Sequence, residues 1–383
     1  MMEDRVPVNQ ADSLSVIDIV FRSAAAAEYR VAGIPAAARA ARGVAEAFAG
    51  EDIRCIITAE GSWTPGAGCR AECRRLARGL HLVLGGSPAP GALRIDGEAL
   101  VAALADLAPG GDVAATVQSA LAPVTWGAED PALALRHASR TIIAGTGKTT
   151  DGIVSRYLNR PISQRITRTL LRCPGITPFH ATLGTATLGL AMILSLLLGG
   201  HPGLILGAIL FQAASIFDGV DGEMARATWR TSDRGAMLDS LVDALTNLAF
   251  VTGVTVNLAM SGDVSASLAG AAGLVMLASG LFLIGRRAKA SGQPVNFDVI
   301  KGHVGERRSA VMQWLIWLTM RDFFAAVAAL LIILGLTRLA LFAFAIVAAG
   351  WLVVTVTVLV RTSRRHAAAA KRPDGALRGG YSL

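Results

Sequence analysis

The sequence predicts a polytopic α-helical membrane protein with six transmembrane helices and an N-terminal soluble α/β domain. Three observations predict it. The 383 residues are 53% hydrophobic and only 17% charged, a balance too apolar for an ordinary water-soluble chain. From residue 180 onward the apolar residues gather in six runs, at 180–199, 203–222, 235–260, 265–285, 322–336 and 338–360. Most are long enough to cross the ~30 Å hydrocarbon core, the fifth only marginally. Charge divides near the same place: residues 1–147 hold 13 basic and 16 acidic side chains, whereas 148–383 hold 23 and 12. The basic excess therefore belongs to the membrane half.

Taken in order, the N-terminus (1–12) is polar and mixed in charge, without the apolar core of a signal peptide. Residues 13–21, 53–58 and 80–85 are short runs rich in Ile, Val and Leu that read as buried strands, and the Ala- and Arg-rich stretches 35–49 and 68–78 between them read as helices. That alternation predicts a parallel sheet. A further α/β segment runs from Leu93 to about Ala122, after which the pattern weakens. Cys55, Cys69, Cys73 and Cys173 form no Cys-x2-Cys pair and have no neighbouring His cluster, so neither zinc nor a disulfide framework is indicated. The stretch 144–150 looks like a phosphate loop, but the first Gly of G-x4-G-K-[ST] would fall at Ile142, so it reads as a linker.

Residues 151–172 set Leu158, Ile162, Ile166 and Leu170 four apart, with Arg165, Arg168 and Arg172 on another face. The pattern is that of an amphipathic helix lying in the membrane interface, the alternative being a solvated helix packed on the α/β domain. The organisation expected is thus a soluble domain at 1–147, a juxtamembrane helix at 148–175, a membrane domain at 176–361 and a disordered basic tail at 362–383. Arg338 is the only basic residue at one end of the bundle, while Arg226, Arg230, Arg234, Arg361, Arg364, Arg365 and the basic 286–321 loop lie at the other. The positive-inside rule then puts both termini in the cytoplasm, in the cell's inner (cytoplasmic) membrane. The basic residues stand beside apolar spans with few aromatics among them, which points away from nucleic acid and toward anionic lipids and phosphorylated substrates. Within the loop, Lys301, Arg307, Arg308 and Arg321 support two readings, a phosphate pocket or a topology signal that contacts lipid headgroups.

One segment stands out chemically. Asp218 and Asp221 (i, i+3) share one helical face, and Asp239 and Asp243 (i, i+4) share another, so four carboxylates can converge. Residues 148–383 contain twelve acids, and six of them fall between 218 and 243. Ionised groups in or beside a span are costly unless paired, metal-bound or facing water. Divalent cations relieve their repulsion, and hard oxygen ligands suit Mg²⁺, Mn²⁺ or Ca²⁺. Gly222 and Gly235 leave room for a ligand to approach the backbone, and Arg226 can meet a phosphate in bidentate fashion. Together these parts describe a site for a diphosphate on metals. Salt bridging to Arg226, Arg230 and Arg234 is the alternative.

The spacing D-x2-D-G-x2-A-R-x8-G-x3-D-x3-D, filled here by Asp218, Asp221, Gly222, Ala225, Arg226, Gly235, Asp239 and Asp243, resembles the motif of the CDP-alcohol phosphotransferase family. Residues 148–152 and 159–163 resemble the lead-in of its inositol-phosphate branch, that of the di-myo-inositol phosphate phosphate synthases. The resemblance implies a homodimeric membrane enzyme that moves a phosphoalcohol group from a CDP-linked donor to an alcohol acceptor and releases CMP. It implies that Asp218, Asp221 and Asp239 bind Mg²⁺ or Mn²⁺, two ions in all, and that Asp243, also near the metals, is the base. It further implies that Gly222, Ala225, Arg226 and Gly235 hold the cytidine diphosphate. Inositol phosphate is one acceptor consistent with it; a CDP-diacylglycerol-dependent phosphatidylinositol phosphate or phosphatidylglycerophosphate synthase is another reading, and a catalytically silent cation-binding or assembly module a third. Phe179 stands where relatives usually have Asn. The segment 31–35 and the Arg-rich helix after it resemble sugar nucleotidyltransferases, but no Gly-rich loop follows the first strand, as expected of a degenerate copy.

Overall fold

The computed structural model describes residues 15–87, 91–121, 130–148, 151–291 and 321–370. It divides into two units: Met1–Lys148, Ser163–Pro178 and Val220–Thr231 form the first, and Thr149–Ile162, Phe179–Gly219 and Ser232–Leu383 the second.

In the first unit, β1 (Ser15–Phe21), β4 (Ile53–Ala59), β5 (His81–Leu84) and β6 (Leu93–Asp96) form one sheet in the order β5-β4-β1-β6, every pairing parallel. Ile17, Asp18, Ile19 and Phe21 of β1 and Ile53 and Cys55 to Thr58 of β4 are buried, so these two central strands are covered on both faces. The short helix α1 (Ala24–Glu28) follows β1, capped by Ser23, whose hydroxyl accepts the Ala26 N–H. A small hairpin, β2 (Arg30–Val31) and β3 (Ile34–Pro35), turns through Ala32 and Gly33, both at positive φ. Helix α2 (Ala36–Ala47) then presents Ala36, Ala37, Ala40 and Ala41, all fully buried, so that it lies close on its neighbours. Helix α3 (Ala67–Leu76) follows β4.

Three later helices start in the same way. Asp96, Asp112 and Asp130 each accept a backbone N–H at 3.0 Å, opening α4 (Gly97–Asp106), α5 (Val113–Ser119) and α6 (Pro131–Ala144). Helix α6 was not anticipated by hydrophobic periodicity; its signal is the Asp130-Pro131 start, a cap followed by Pro at the first helical position.

A π-helical turn (Ser155–Asn159) leads into α7 (Arg160–Leu170). The expected amphipathic helix is there, but its buried side is polar. Ser155, Asn159, Ser163 and Thr167, four apart, are buried, while Leu158 and Ile162 on the apolar side are exposed.

The second unit contains most of α8 (Pro178–Leu198), α9 (Gly200–Ala227), α10 (Asp233–Met260) and α11 (Val264–Ser291), then α12 (Arg321–Ile333) and α13 (Thr337–Ala370). Among the described residues, five helices are long and apolar enough to cross a membrane: Pro178–Leu198, Gly200–Ala227, Asp233–Met260, Val264–Leu283 and Thr337–Thr357. The sixth span, expected at 322–336, corresponds to the 13 residues of α12, which reach only about 20 Å at 1.5 Å per residue. Phe211 and Phe250 stack with centroids 3.9 Å apart, and Phe324 meets both edge-on at 6.1 and 6.3 Å. At Gly253 a Cβ would lie 2.8 Å from Ile193 and Leu196, so glycine lets α10 and α8 approach. Asn257 donates to the Leu196 and Gly200 carbonyls at 2.6 and 3.0 Å, satisfying the end of α8. Asp322 accepts from Asn159 and Ser215 at 3.1 and 3.0 Å, and Asn159 in turn accepts from Gln212, so a polar network ties the π-turn, α9 and α12. Arg160 pairs with Asp151 through two bonds of 2.7 and 3.0 Å.

In the first unit, Glu98 is buried and accepts the Arg22 N–H at 2.9 Å. Burial pushes its carboxyl up from 4.5 to about 7, against the pull of that N–H. The folded state therefore holds the proton more tightly than the unfolded chain. Glu98 costs nothing below the unfolded value and destabilises progressively as pH rises through the folded one. Glu98→Gln should leave stability at about pH 4 unchanged and raise it at about pH 8. Thermal unfolding of the full-length protein in detergent at both pH values checks this; equal melting curves at the higher pH would remove Glu98 from the linkage.

Candidate active site

Helix α10 starts at Ser232, whose hydroxyl accepts the Gly235 N–H at 3.1 Å. A Cβ at Gly235 would sit 3.0 Å from that hydroxyl, so the small residue belongs to the cap. From this start the helix carries Asp239 and Asp243 one turn apart, toward Asp218 of α9. One carboxylate oxygen from each of Asp218, Asp239 and Asp243 lies within 4.8 Å of the others, all three residues half-buried. That spacing is about twice a Mg²⁺–O or Ca²⁺–O bond, so a single cation can be shared among them, and an all-oxygen donor set is that of a hard divalent ion. The trio lies wholly in the second unit. Asn247, one turn beyond Asp243, was missed by the sequence reading; its buried Oδ1 has no hydrogen-bond partner among the described residues. The i+4 step from Asp243 was the available signal.

Asp221 is buried and is not one of the trio. It belongs, with Gly222, Ala225 and Arg226, to the part of α9 that falls in the first unit. Arg226 lies over the bare Cα of Gly222, where a Cβ would come 3.0 Å from its Nη1, and its Nε donates to the Thr146 carbonyl at 2.7 Å. The segment read as a linker thus fixes this arginine. Ala225 is half-buried beside it.

The end of α9 is held by residues the motif does not contain. Glu223 is fully buried and accepts from the hydroxyls of Ser163 and Thr167, each at 2.6 Å. Arg39 of α2 donates to the Ala227 carbonyl at 2.6 Å and, on the hairpin side, to Val31 at 2.7 Å. Burial and the nearby charge of Arg42 bring its pKa down to about 9, which leaves it charged at neutral pH. Arg75 of α3 donates to the Thr228 and Trp229 carbonyls at 2.8 and 3.1 Å. Glu72 pairs with both Arg75 and Arg230. Trp229, at φ 51°, lies under the guanidiniums of Arg39 and Arg42 at 4.6 and 4.2 Å.

Lys301, Arg307 and Arg308 lie outside the described residues, and Arg321 is the first residue of α12. Phe179 is exposed at the start of α8, its ring edge-on to His180.

Three aspartates within reach of one cation, carried on helices of membrane-spanning length, make a candidate metal site. Residues 176–320, which include the whole aspartate motif, match the family model described as CDP-alcohol phosphatidyltransferase. Among curated relatives, a "Bifunctional IPC transferase and DIPP synthase" of Thermococcus kodakarensis is 43% identical over 112 residues, 29% of this chain and 24% of the relative. Proteins with the same description from Aquifex aeolicus and Rubrobacter xylanophilus are 40% identical over 135 residues and 34% over 183, covering 35% and 48% of this chain and 29% and 39% of theirs. The matches therefore span between a quarter and two-fifths of the length of these relatives.

If the trio holds a cation, Mn²⁺ at about a hundred times its Kd should stabilise the protein by ~2.7 kcal/mol. Asp239→Asn should lose most of that gain. Thermal unfolding with and without the metal measures it, and an equal Mn²⁺ shift in parent and variant would exclude the trio.

Proposed function

We propose that the protein is a divalent-metal-dependent transferase that moves a phosphoalcohol group from a CDP-linked donor to the hydroxyl of an alcohol acceptor, releasing CMP. The observation that carries this reading is the meeting of Asp218, Asp239 and Asp243 within a motif spaced as in the family. Inositol chemistry is the preferred form, supported by the descriptions of the relatives and by the lead-in at 148–163. In this reading the donor is CDP-inositol and the acceptor an inositol phosphate. The family description itself speaks for phosphatidyl transfer, which keeps CDP-diacylglycerol as a second donor. The site faces the cytoplasmic side of the cell membrane, where nucleotides are, with both termini on that side.

Bound metal, Mg²⁺ or Mn²⁺, would supply charge neutralisation on the diphosphate, with Asp218, Asp221 and Asp239 as its holders and Asp243 beside them. Gly222 and Gly235 give the diphosphate access to the backbone, with Ala225 adding little bulk, and Arg226 offers a guanidinium to its oxygens. Asp243 accepts the proton of the acceptor hydroxyl as that oxygen bonds to the phosphorus bearing the alcohol. The bond from the same phosphorus to the bridging oxygen breaks, and CMP leaves with the electron pair. Lys301, Arg307, Arg308 and Arg321 are assigned to the acceptor's phosphate.

The test is CMP release by purified protein with Mg²⁺ or Mn²⁺, offering CDP-inositol or CDP-diacylglycerol, each with inositol 1-phosphate, glycerol 3-phosphate or inositol. CMP should form with CDP-inositol and inositol 1-phosphate, and Asp243→Asn should slow it by about 10²–10⁴-fold. Turnover with CDP-diacylglycerol alone would select the second donor. Failure of every pair, with Mn²⁺ still bound, would leave a cation-binding module and end the enzymatic reading.

A further inference from the structure

The first unit contains a second cationic feature, unrelated to the aspartate motif. A cleft of about 550 Å³ is lined by Arg30, Arg136, Arg140, Arg168 and Arg172, with Ser139 and no carboxylate. Its volume is that of a small-molecule site. Three segments deliver the arginines: the β2–β3 hairpin gives Arg30, α6 gives Arg136 and Arg140 at i, i+4, and α7 with the residues just after it gives Arg168 and Arg172, also i, i+4. Two helices thus each turn a one-turn pair of guanidiniums to the same space.

Background composition does not explain the cluster, since residues 1–147, which supply three of the five, hold more acids than bases. Nor does internal pairing. Elsewhere in the first unit Arg75 and Arg230 have Glu72, whereas among the described residues none of these five forms an ion pair. Arg30 donates to the Gly33 carbonyl at 2.7 Å, and the buried Nε of Arg168 has no partner. The walls are fixed before any ligand arrives. Ser139 accepts the Ala32 N–H at 3.0 Å, joining α6 to the hairpin, and a Cβ at Gly33 would lie 2.8 Å from Leu171, so the end of α7 packs on the turn. Five like charges around one preformed cleft repel one another unless an anion joins them, and arginine's planar fork is matched to phosphate oxygens.

We propose that this cleft binds a compact ligand carrying two or more phosphate groups, at a site separate from the aspartate trio. The same chemistry is offered by a free organic phosphate and by the phosphorylated headgroup of a lipid.

Full-length protein in detergent, with EDTA to strip the trio of cations, can be titrated calorimetrically with inositol 1,4-bisphosphate, with dioctanoyl phosphatidylinositol 4-phosphate and with inorganic phosphate. At least one of the two doubly phosphorylated probes should bind about tenfold or more tighter than inorganic phosphate. Arg136→Gln/Arg140→Gln should weaken that binding at least tenfold, and Arg168→Gln should weaken it too. Asp218→Asn should bind as the parent does. The unliganded double variant should melt no lower than the parent, because repulsion has been removed, which separates lost binding from lost folding. Binding of the soluble probe assigns a free ligand, and binding of the lipid alone assigns a headgroup. No binding by either probe, undiminished binding in the double variant, or loss in Asp218→Asn would overturn the proposal.

Discussion

The hydrogen bonds from Arg39 and Arg75 to the carbonyls at 227–229 are the constraint on which the last turns of α9, with Asp221, Gly222, Ala225 and Arg226, depend. A helix ends with carbonyls that have no intrahelical donor and with the negative pole of its dipole. Most helices settle this with a glycine turn or with water. Helix α9 ends at Ala227 and is followed by Trp229, a bulky residue at positive φ, and guanidiniums reach this turn from α2 and α3. Each of those arginines also holds a second partner, Arg39 the hairpin carbonyls and Arg75 the carboxylate of Glu72. The orientation of the turn that carries Asp221, Gly222, Ala225 and Arg226 is therefore set by the α/β layer. Glu223, on the same turn, is a buried charge satisfied by two hydroxyls of the juxtamembrane segment, which fixes the rotation of the helix about its own axis.

Two groups of arginines among the described residues differ in what they touch. Arg39, Arg75, Arg160 and Arg230 each have a carbonyl or carboxylate of the chain as acceptor at hydrogen-bonding distance. These arginines hold the fold together, and replacing any one would strand an acceptor. The five of the cleft differ: one bonds its own turn, and the others line open space. The contrast separates charges used to build the fold from charges left available to a ligand. Among the aspartates, Asp151 and Asp322 take part in pairs and networks, and Asp218, Asp239 and Asp243 each bring a carboxylate oxygen within 4.8 Å of the others.

Much of this was legible in the sequence because the signals were local. Apolar runs located the long helices, since length and hydropathy are properties of a continuous segment. Alternating strand and helix patterns gave the parallel sheet, with β6 inside the expected segment after Leu93. Helical spacing put Asp239 and Asp243 on one face, and the structure brings Asp218 to them. What was not legible depends on partners distant in the chain. Ser163 and Thr167 meet Glu223 across 60 and 56 residues, and Asn159 meets Asp322 across 163. The amphipathic reading of 151–172 looked for an apolar stripe, yet the face that packs consists of Ser155, Asn159, Ser163 and Thr167, whose burial is driven by hydrogen bonds rather than by hydropathy.

The α/β layer can be understood through the same distinction. After β1, where a nucleotidyltransferase-like domain would carry its glycine-rich loop, the chain enters α1 with Ala26 and Ala27 buried. The Phe21 ring presses so close to Gly97 that a Cβ there would lie 2.6 Å from it. Glu98 accepts the Arg22 N–H across the sheet's end. These contacts fill the carboxyl end of β1, the place where open parallel sheets commonly leave a crevice for a ligand. The arginines of the unit are gathered elsewhere: those of α2 and α3 face the end of α9, and those of α6 and α7 face the cleft. A parallel sheet packed shut at its usual binding edge still supplies a rigid platform, and rigidity is what a helix end and a cluster of five guanidiniums both require.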